Sequence, residues 1–490
     1  MNNIFSRHFV LHAFASCTMG FMLACGSSPS GNATLCSTPA DCTDPAQAYC
    51  VAGVCHACES PINCSATAPV CEAELFECGA CVNDSSCGAY PTTSHCAPTG
   101  ACVGCVTSDQ CSGNTPVCDV APGVCKACET DGECATGACN LETGACIAEA
   151  AILYAAPNGT PNTMCTKAMP CTVRQALAKV DSGKSTVVLA DGDYSFNSGT
   201  TPVLSGARSA LVVGSRLAKL NSSASVPAIT VTGGAILAMR GIAVGATIRT
   251  AVECATAVLR ISDVEVTGRL FSSAIQSLDC QTTVDKSTFE GRAIYSGYVN
   301  LPTGRSVLKV TNNRFNIAGD IETSTILRTG DGSATVTNNV FYNRTTTGCG
   351  PCTLVSLYNS ANFPGAKVFA YNTVVGGVTS TQNDSASTGT TAVVGNIFSA
   401  PTQPTNDLGG MFAYDLFNLQ TSLTDFGPGV IDGDPLFVDA AAGDFHLKPG
   451  SPAIDRGPTT VPAGVPATDF DGRPRPVGAA TDIGAFEYTP

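Results

Sequence analysis

The 490-residue sequence predicts an all-β protein whose larger part is a right-handed parallel β-helix, a solenoid, preceded by a small disulfide-rich repeat module. Charged residues make up only 13% of the chain, which contains 49 glycines and no tryptophan, a composition that suits stacked β structure better than a helical bundle. After residue 150, β-branched runs separated by Asn and Gly recur at similar intervals. Before it, twenty cysteines lie between Cys36 and Cys146. The predicted segments are a signal peptide (1–24), a flexible tether (25–35), five disulfide-rich repeats (36–147), the β-helix (151–430) and its C-terminal cap segment (431–490).

The first residues have the parts of a secretory signal. Arg7 precedes an apolar stretch, residues 9–24, that is too short and too interrupted to remain as a transmembrane helix. The sequence Met22-Leu23-Ala24-Cys25 resembles the bacterial lipobox, with Met in place of the usual first Leu. The resemblance implies a lipid on Cys25, and Gly26 directly after it implies the outer membrane rather than retention at the inner one. The alternative is an ordinary cleaved signal with a chance Cys.

The net charge limits the partners. With a formal charge of −14, the chain repels phosphate backbones, so no nucleic-acid partner is expected. It also repels uronic-acid polymers unless a cation bridges them. The expected partners are a membrane, through the lipid, and a polysaccharide or another surface protein. No cofactor and no metal are expected.

The twenty cysteines form five groups of four, which begin 22 to 24 residues apart. Each group starts with C-x5-C, and C-x2-C joins each group to the next. Such pairs can hold zinc, but an exported protein meets an oxidising compartment, and repeats this short need covalent cross-links, so we favour disulfides. Three pairings within a repeat remain open. The spacing resembles Cys-rich repeats of secreted myxobacterial proteins, which implies a stalk or a protein-contact module.

The solenoid begins with a short helix and continues as a column of recurring residues. Val173, Ala176, Leu177 and Val180 form a helical stripe after a capping Thr172, and the segment from Ile152 resembles the first coil of pectin-lyase-like proteins. Aligned strand pairs place one residue of each coil in a single column, where the Asn residues predict an amide ladder in a tight turn that tolerates left-handed dihedrals. A β-sandwich would instead need hairpin turns. The column comprises Gly241, Asp263, Ser287, Asn313, Asn339, Asn372 and Asn396.

The C-terminal segment carries the most specific resemblance. Its motifs DGDPLFVD (432–439), GDFHL (443–447), GSPAID (450–455), DFDGRP (469–474) and TDIGAFEY (481–488) resemble the end of choice-of-anchor Q proteins, extracellular β-helix proteins generally without an assigned activity. Its apolar residues are expected to cover the last rung. The pairs Asp432 with Asp434 and Asp469 with Asp471 are expected to shape turns, with calcium binding as the alternative.

Pectin-lyase-like enzymes work on the outer face of one sheet, and here that face is predicted to hold no catalytic set. We expect the side chains of Val252, Ile275, Ile294, Ile326 and Leu354 to point inward. Their neighbours Glu253, Gln276, Tyr295, Leu327 and Val355 then point outward. One acid cannot supply the two carboxylates of a glycosidase. Glu253, Gln276 and Tyr295 form the candidate ligand face, with Tyr295 stacking on a sugar ring; the alternative is an ordinary solvent face.

Six further cysteines are candidates for disulfides. Cys165 and Cys171 are expected to close the loop before the helix. Cys254 and Cys280 lie in successive coils and are candidates for a bridge, although the register places Cys254 beside Ser277. Cys349-Gly-Pro-Cys352 matches a redox C-x2-C, but it leads into a strand rather than a helix, which favours a static turn disulfide.

The leading functional hypothesis is a cell-surface lipoprotein whose β-helix binds polysaccharide or a surface component without catalysis. The rival is an extracellular polysaccharide lyase or glycoside hydrolase whose catalytic residues lie on loops that a strand register cannot place. A purely structural envelope protein is the third possibility.

Overall fold

The structure is a computed structural model, and it describes residues 34–161, 164–197, 199–223, 226–246, 250–268, 274–290, 294–296, 306–317, 326–330, 332–344, 353–359, 361, 364–383, 387–399, 414–421 and 429–490. The predicted signal peptide, the lipidation site Cys25, and Cys349 with Cys352 lie outside these residues. The chain divides into two compact units, Met1–Val106 with Val120–Val124, and Thr107–Asp119 with Cys125–Pro490. Among the described residues no helix is long and apolar enough to cross a membrane.

The cysteines of the repeats are joined in disulfides, as predicted. In the first, second, third and fifth repeats the first cysteine bonds to the third and the second to the fourth, which settles the pairing that the sequence left open. In the fourth repeat the second bonds to the fourth. The bridges are Cys36–Cys50, Cys42–Cys55, Cys58–Cys71, Cys64–Cys78, Cys81–Cys96, Cys87–Cys102, Cys111–Cys125, Cys128–Cys139 and Cys134–Cys146.

Short helical turns and strands fill the spaces between these bridges. The 3-10 turns are Pro39–Asp41, Pro45–Gln47, Pro61–Asn63, Asp84–Cys87, Ser108–Gln110 and Asp131–Glu133, and Glu149–Ala151 follows the last repeat. The strands are β1 Tyr49–Val51, β2 Val54–His56, β3 Val70–Cys71, β4 Cys78–Gly79, β5 His95–Cys96, β6 Cys102–Val103, β7 Val117–Asp119, β8 Val124–Lys126, β9 Cys139–Asn140 and β10 Ala145–Cys146.

The recurring polar residue before each second cysteine closes the first turn of the repeat. In the fifth repeat the Glu133 carboxylate accepts hydrogen bonds from the backbone N–H groups of Glu129 (2.7 Å) and Thr130 (3.0 Å). These backbone hydrogen bonds, chiefly that from Glu129, lower the pKa of Glu133 to about 2, aided by Lys126. Asp41 does the same in the first repeat. The side chain thus satisfies N–H groups that the turn leaves without a backbone acceptor.

The rest of the chain forms a parallel β-helix of three sheets, through which each coil passes in the same order. The first sheet contains β11 Ile152–Ala155, β12 Thr186–Leu189, β15 Ser209–Val213, β18 Ile236–Arg240, β21 Val258–Ser262, β24 Gln281–Asp285, β27 Val307–Thr311, β30 Ser333–Thr337, β33 Lys367–Ala370, β36 Thr391–Val394 and β38 Tyr414–Leu416. The second contains β13 Gly192–Ser195, β16 Ala218–Asn221, β19 Ala243–Ala246, β22 Glu265–Gly268, β25 Thr288–Glu290, β28 Arg314–Ile317, β31 Val340–Asn343, β34 Thr373–Val375, β37 Ile397–Ser399, β39 Leu419–Gln420 and β40 Ile431–Asp432. The third contains β14 Val203–Ser205, β17 Ile229–Thr232, β20 Val252–Ala255, β23 Ile275–Leu278, β26 Ile294–Ser296, β29 Leu327–Thr329, β32 Thr353–Asn359 and β35 Val378–Asn383.

Alternate residues of each strand fill the interior of the solenoid, which explains the β-branched and aromatic runs of the sequence. In β21, for example, Leu259 and Ile261 are buried while Arg260 between them is exposed. Under the second sheet, Phe289, Phe315 and Phe341 stack on successive rungs with ring centroids 4.8 and 4.6 Å apart. Stacking like residues in one column keeps the register fixed, because a one-residue slip would expose the whole column.

The N-terminal helix forms as predicted. It is α1, Val173–Ala178, and its residues Val173, Ala176 and Leu177 are buried. The Thr172 side chain accepts a hydrogen bond from the backbone N–H of Gln175, which caps the helix. The predicted disulfide Cys165–Cys171 closes the loop before it.

The predicted amide ladder is present in the turn between the first and second sheets. Each Oδ1 accepts both the backbone N–H (2.9 Å) and the Nδ2 (2.9 to 3.0 Å) of the ladder residue one coil earlier, as Asn339 does for Asn313. The Nδ2 groups also donate to backbone carbonyls. The ladder comprises Asn313, Asn339, Asn372, Asn396 and Asn418, and the sequence prediction missed Asn418.

Two details of the predicted column are wrong. Strand pairing places Asp285 beside Ser262, so Ser287 is level with Val264 rather than with Asp263. By the same register, the column continues from Val264 to Ile242 rather than to Gly241. The left-handed residues are those one position earlier, such as Asn312 (φ 57°) and Asn338 (φ 56°). The ladder asparagines therefore do not adopt left-handed dihedrals; their amides hold the preceding residue in that conformation.

The C-terminal segment forms a hairpin and two compact turns that pack on the side of the solenoid as well as at its end. The hairpin pairs β41 Phe437–Asp439 with β42 Asp444–Leu447. Phe445 contacts Tyr342 of the second sheet, and Arg314 donates to the carbonyl of Gly443. The N–H of Gly484 donates to the carbonyl of Gly395 in the ladder turn. The apolar residues that were expected to cover the last rung pack along several rungs of the second sheet rather than on the last rung alone. Phe437, Phe445, Leu447 and Phe486 are buried, and Ile454 is partly buried, in one cluster with residues of β31, β34, β37 and β39.

Candidate binding face

The outer face of the third sheet is the surface for which the sequence predicts a ligand role. On β20 and β23 the side chains of Val252 and Ile275 point inward and are buried, while Glu253 and Gln276 are half-buried on the outside. Glu253 pairs with Gln276 in the next coil, and Gln276 with Tyr295. Strand pairing thus places Glu253, Gln276 and Tyr295 at one register position of successive coils, and the prediction for the Tyr295 side chain lies outside what the structure describes.

The predicted register is wrong in the last two strands of this column. Tyr295 pairs with Arg328, and Arg328 with Ser356. Leu327 and Val355, which were predicted to point outward, lie instead on the inward column and are fully buried, as are Ile326 and Leu354 before them. Both segments have two adjacent aliphatic residues, so alternation alone could not choose between two registers one residue apart.

The corrected column has a different chemistry from the predicted one. It continues from the half-buried Thr230 through Glu253, Gln276 and Tyr295 to the exposed Arg328 and the half-buried Ser356. The preceding coil contributes the exposed Val203, and from Thr230 to Ser356 every side chain can donate or accept a hydrogen bond, with one acid and one base. At about 4.8 Å per rung, Glu253 and Arg328 are three rungs, or roughly 14 Å, apart, which is too far for an ion pair.

A second outward row runs beside this column. It includes Ser205, Thr232, Ala255 and Leu278, and in β32 it holds Tyr358, which is half-buried. Tyr358 is two residues after Ser356 on the same strand, so its ring lies on the same face as Arg328 one rung away. The sequence analysis missed Tyr358 because it followed one position per coil.

A disulfide braces the interior beneath this face. Cys254 is buried between the outward Glu253 and the outward Ala255, and it pairs in register with Ser277, as predicted. It forms the predicted bridge to Cys280, which is also buried and follows the strand of the next coil. The bridge ties two successive coils together directly behind Glu253 and Gln276. The face is therefore a rigid surface rather than a mobile loop.

The other two sheets are covered in part by the protein's own chain. On the first sheet, Arg240 binds Asp131 of the fifth repeat through two hydrogen bonds of 2.7 and 2.5 Å. At the other end of that sheet, Val461 of the C-terminal segment packs on Val368 and Ala392. The hairpin of that segment covers the later strands of the second sheet, as described above.

The acidic residues of the C-terminal segment are engaged in turns and ion pairs. Asp469 Oδ1 accepts from the N–H groups of Asp471 and Arg473, and Asp434 Oδ1 from that of Leu436, so both shape turns as predicted. His446 lies between two carboxylates, with Nδ1 2.6 Å from Asp444 and Nε2 2.6 Å from Asp471. Partial burial opposes the imidazolium, but these two hydrogen bonds raise the pKa of His446.

A buried ion pair holds this segment to the ladder turn. Arg475 Nη1 lies 2.6 Å from Glu487 Oε1, and both side chains are fully buried. The same guanidinium donates to the carbonyl of Gly484 and lies over the ring of Tyr371. Sequence reasoning missed this pair because Arg475 is level with Glu487 only in the folded turn, twelve residues apart in the chain.

The protein is thus a disulfide-linked repeat array followed by a three-sheet parallel β-helix with a laterally packed C-terminal segment. Residues 56–152 match a family of unknown function (DUF8331), which spans most of the repeat array but less than half of the chain. Among solved structures, the chain resembles one described as the crystal structure of pectate lyase Pel9A, with 15% identity and a TM-score of 0.40, over 69% of this chain and 96% of that one. No curated protein matches the chain.

Proposed function

We propose that the protein is an exported lipoprotein of the bacterial surface that binds polysaccharide on the outer face of its third sheet without cleaving it. The observation that carries the proposal is the corrected column, Glu253, Gln276, Tyr295, Arg328 and Ser356, which has hydrogen-bonding side chains on every rung but a single carboxylate. A glycosidase needs two carboxylates within about 10 Å, whereas Glu253 is the one acidic residue among the described members of this column.

The chemistry of the face suits a sugar chain lying along the solenoid. Amide, hydroxyl and guanidinium groups along the column offer donors and acceptors to successive sugar hydroxyls, and the half-buried Tyr358 offers an aromatic surface on which a ring can stack. The Cys254–Cys280 bridge keeps these groups in place before binding, which reduces the entropy lost on association.

Export and lipid attachment rest on the sequence. The motif at Met22 to Cys25 supports lipid attachment, and the disulfides of the repeats are consistent with an oxidising, extracytoplasmic location. The resemblance of residues 432–488 to choice-of-anchor Q proteins supports a surface role without assigned catalysis. Labelling cells with a radioactive fatty acid should label the wild-type protein and not the Cys25→Ser variant. Label on the variant, or no label on the wild-type protein, would contradict lipid attachment at Cys25.

The binding proposal is tested with the full chain and a panel of neutral and acidic polysaccharides. Affinity electrophoresis should retard the protein on at least one of them, and no new reducing ends or unsaturated products should form. Gln276→Ala and Tyr358→Ala should each weaken the retardation, while Lys448→Ala, at an exposed site in the C-terminal segment, should not. Turnover of any polysaccharide would overturn the non-catalytic function in favour of a lyase or hydrolase. Absence of binding would leave a purely structural role.

A further inference from the structure

The outer face of the first sheet contains a second surface with a different character. One outward column runs along this sheet and changes from apolar to polar and back to apolar. Its members, in order, are Leu211, Ala238, Arg260, Thr283, Lys309, Thr335, Val368 and Ala392. We call the middle four, Arg260, Thr283, Lys309 and Thr335, the basic strip.

The apolar ends of the column are the parts that the chain covers itself. At one end, Leu211 packs with Ala138 of the fifth repeat in one cluster. At the other, Val368 and Ala392 are buried in a cluster with Val461 of the C-terminal segment. Between them, Arg260 and Lys309 are exposed, and Thr283 and Thr335 are partly exposed. The column is therefore apolar where other segments of the chain pack on it and polar between those two regions, where the basic strip is exposed to solvent.

The two cations of the strip are unpaired in a strongly acidic protein. Within the described part of the chain neither Arg260 nor Lys309 forms an ion pair, in contrast to Arg240 and Arg475. On this face Asp285 lies in the same rung as Thr283, and its Oδ1 accepts hydrogen bonds from Thr311 (3.0 Å) and Asn312 (3.1 Å). With a chain charge of −14, this face is a local exception that attracts anions.

The spacing of the strip indicates the form of the anion. Arg260 and Lys309 are separated by two rungs, roughly 9.6 Å, with the Thr283 hydroxyl between them. That distance approximates two successive sugars of an extended glycan, so acid groups on alternate sugars would meet the two cations in turn. On a parallel row, Val258 and Val307 flank the same cations and offer apolar contact to sugar rings.

We propose that the basic strip binds a linear acidic polysaccharide that carries one acid group per disaccharide and lies along the solenoid axis. The Arg260 guanidinium pairs with one carboxylate, Lys309 with the next, and Thr283 and Thr335 bind the hydroxyls of the intervening sugars. A nucleic acid, with a charge on every residue, would need a longer basic surface than this window and would meet the acidic remainder of the chain. This site is distinct from the third-sheet face and goes beyond the function proposed for it.

The test uses the full chain and hyaluronan oligosaccharides, which carry a carboxylate on alternate sugars, with a neutral dextran as comparison. Titration calorimetry at low salt should show binding of hyaluronan and not of dextran at this site, and affinity should fall as salt shortens the screening length. Arg260→Gln with Lys309→Gln should weaken binding roughly ten- to a hundredfold, because each lost contact is a charge-assisted hydrogen bond. The matched control is Lys448→Gln with Arg456→Gln, which removes the same charge from exposed sites elsewhere.

Three outcomes would overturn the proposal. The first is that the wild type does not bind hyaluronan at low salt. The second is that the strip variant binds hyaluronan as tightly as the wild type does. The third is that the matched control loses as much affinity as the strip variant, which would indicate a response to net charge alone. Arg328→Gln on the third sheet separates the two faces. If that variant abolishes hyaluronan binding and the strip variant does not, the glycan occupies the third sheet and the strip has no such role. Both strip substitutions are at exposed positions, so unchanged circular dichroism will establish folding.

Discussion

At the scale of single residues, Asn339 does several structural tasks at once. Its Oδ1 receives the N–H and the amide of Asn313, while its own amide donates to the carbonyls of Val310 and Thr337 and to Asn372. The side chain is fully buried. Every polar atom of the amide is therefore satisfied inside the turn, so its loss leaves buried groups on two neighbouring coils without partners.

We expect Asn339→Ala to lower the free energy of unfolding by about 2 to 4 kcal/mol, because it orphans buried donors and acceptors and leaves a cavity. Equilibrium denaturation in urea measures the change. Ser333→Ala, at an exposed outward position on the preceding strand, is the matched control and should change stability by less than about 0.5 kcal/mol. Equal stability of both variants would show that the ladder is not a source of stability.

The same residues show what a sequence can reveal. The ladder was predictable from Asn313 to Asn396 because an Asn recurs once per coil at the same position of the aligned strand pairs. Asn418 has the same role, but residues 401–413 before it carry no strand pattern that would extend the alignment. The left-handed column before the ladder holds Gly, Asn or Asp in several coils, as that conformation favours, but Lys286, Tyr371 and Phe417 in others, where the residue type does not mark it.

The third-sheet face shows a corresponding limit. Glu253 and Gln276 were placed correctly because each follows a single inward aliphatic residue. Arg328 was missed because Ile326 and Leu327 are both aliphatic and both buried. Alternation therefore does not show which of the two residues begins the inward positions of the strand, and the face of Arg328 depends on the length of the preceding loop. The outward residues of a solenoid strand are thus predictable where inward and outward residues alternate strictly. They cannot be predicted from alternation where an additional buried residue precedes the strand.

At the scale of elements, the C-terminal segment is held by the buried pair of Arg475 and Glu487. Arg475→Met should lower the stability of this segment by about 3 to 5 kcal/mol, because it leaves the Glu487 carboxylate buried without its cation. Hydrogen exchange at residues 482–488, followed by mass spectrometry, measures the local opening. Arg473→Met is the control, since the Arg473 side chain is exposed and its ion pair with Asp471 is 3.4 Å long. The prediction fails if both variants exchange alike.

The hairpin of the same segment should respond to pH through His446. Its pKa is raised, so the stability contributed by the imidazolium between Asp471 and Asp444 is complete below the unfolded value of 6.5 and is lost as pH rises through the folded pKa. The charged groups nearby are Arg473, which pairs with Asp471, and Arg314, which lies near Asp444. Hydrogen exchange at residues 444–447, corrected for intrinsic rates, should therefore accelerate from pH 6 to pH 9 in the wild type.

His446→Gln removes the titrating group and should flatten this dependence, leaving exchange at pH 6 as fast as at pH 9. His56→Gln, in the repeat array, is the control and should retain the wild-type profile, because the His56 ring packs on the ring of Phe76 within that array. A wild-type exchange rate that does not change between pH 6 and pH 9 would contradict the stabilising role assigned to the His446 imidazolium between Asp444 and Asp471.

At the scale of the whole molecule, the two parts of the chain are stabilised by different physics. Each repeat is shorter than the roughly 40 residues that a core needs without cross-links, and its bridges close loops of 11 to 15 residues, each worth about 3 kcal/mol. The solenoid instead buries a continuous apolar column in which every coil covers the next, as the stacked Phe289, Phe315 and Phe341 illustrate. Reducing agents should therefore affect the two parts unequally.

Reduction under native conditions should unfold the repeat array and leave most of the solenoid folded. Limited proteolysis after treatment with dithiothreitol should cut between residues 36 and 127 and leave a resistant fragment that contains residues 186–490. The fifth repeat should be more resistant than the others, because Arg240 and the solenoid hold Asp131 even without the bridge Cys128–Cys139. Arg240→Gln removes that contact, so under reduction the N-terminal end of the resistant fragment should move to the C-terminal side of the fifth repeat. Cleavage within the solenoid at the same rate as in the array would mean that the disulfides Cys165–Cys171 and Cys254–Cys280, rather than the stacked core, keep the solenoid folded.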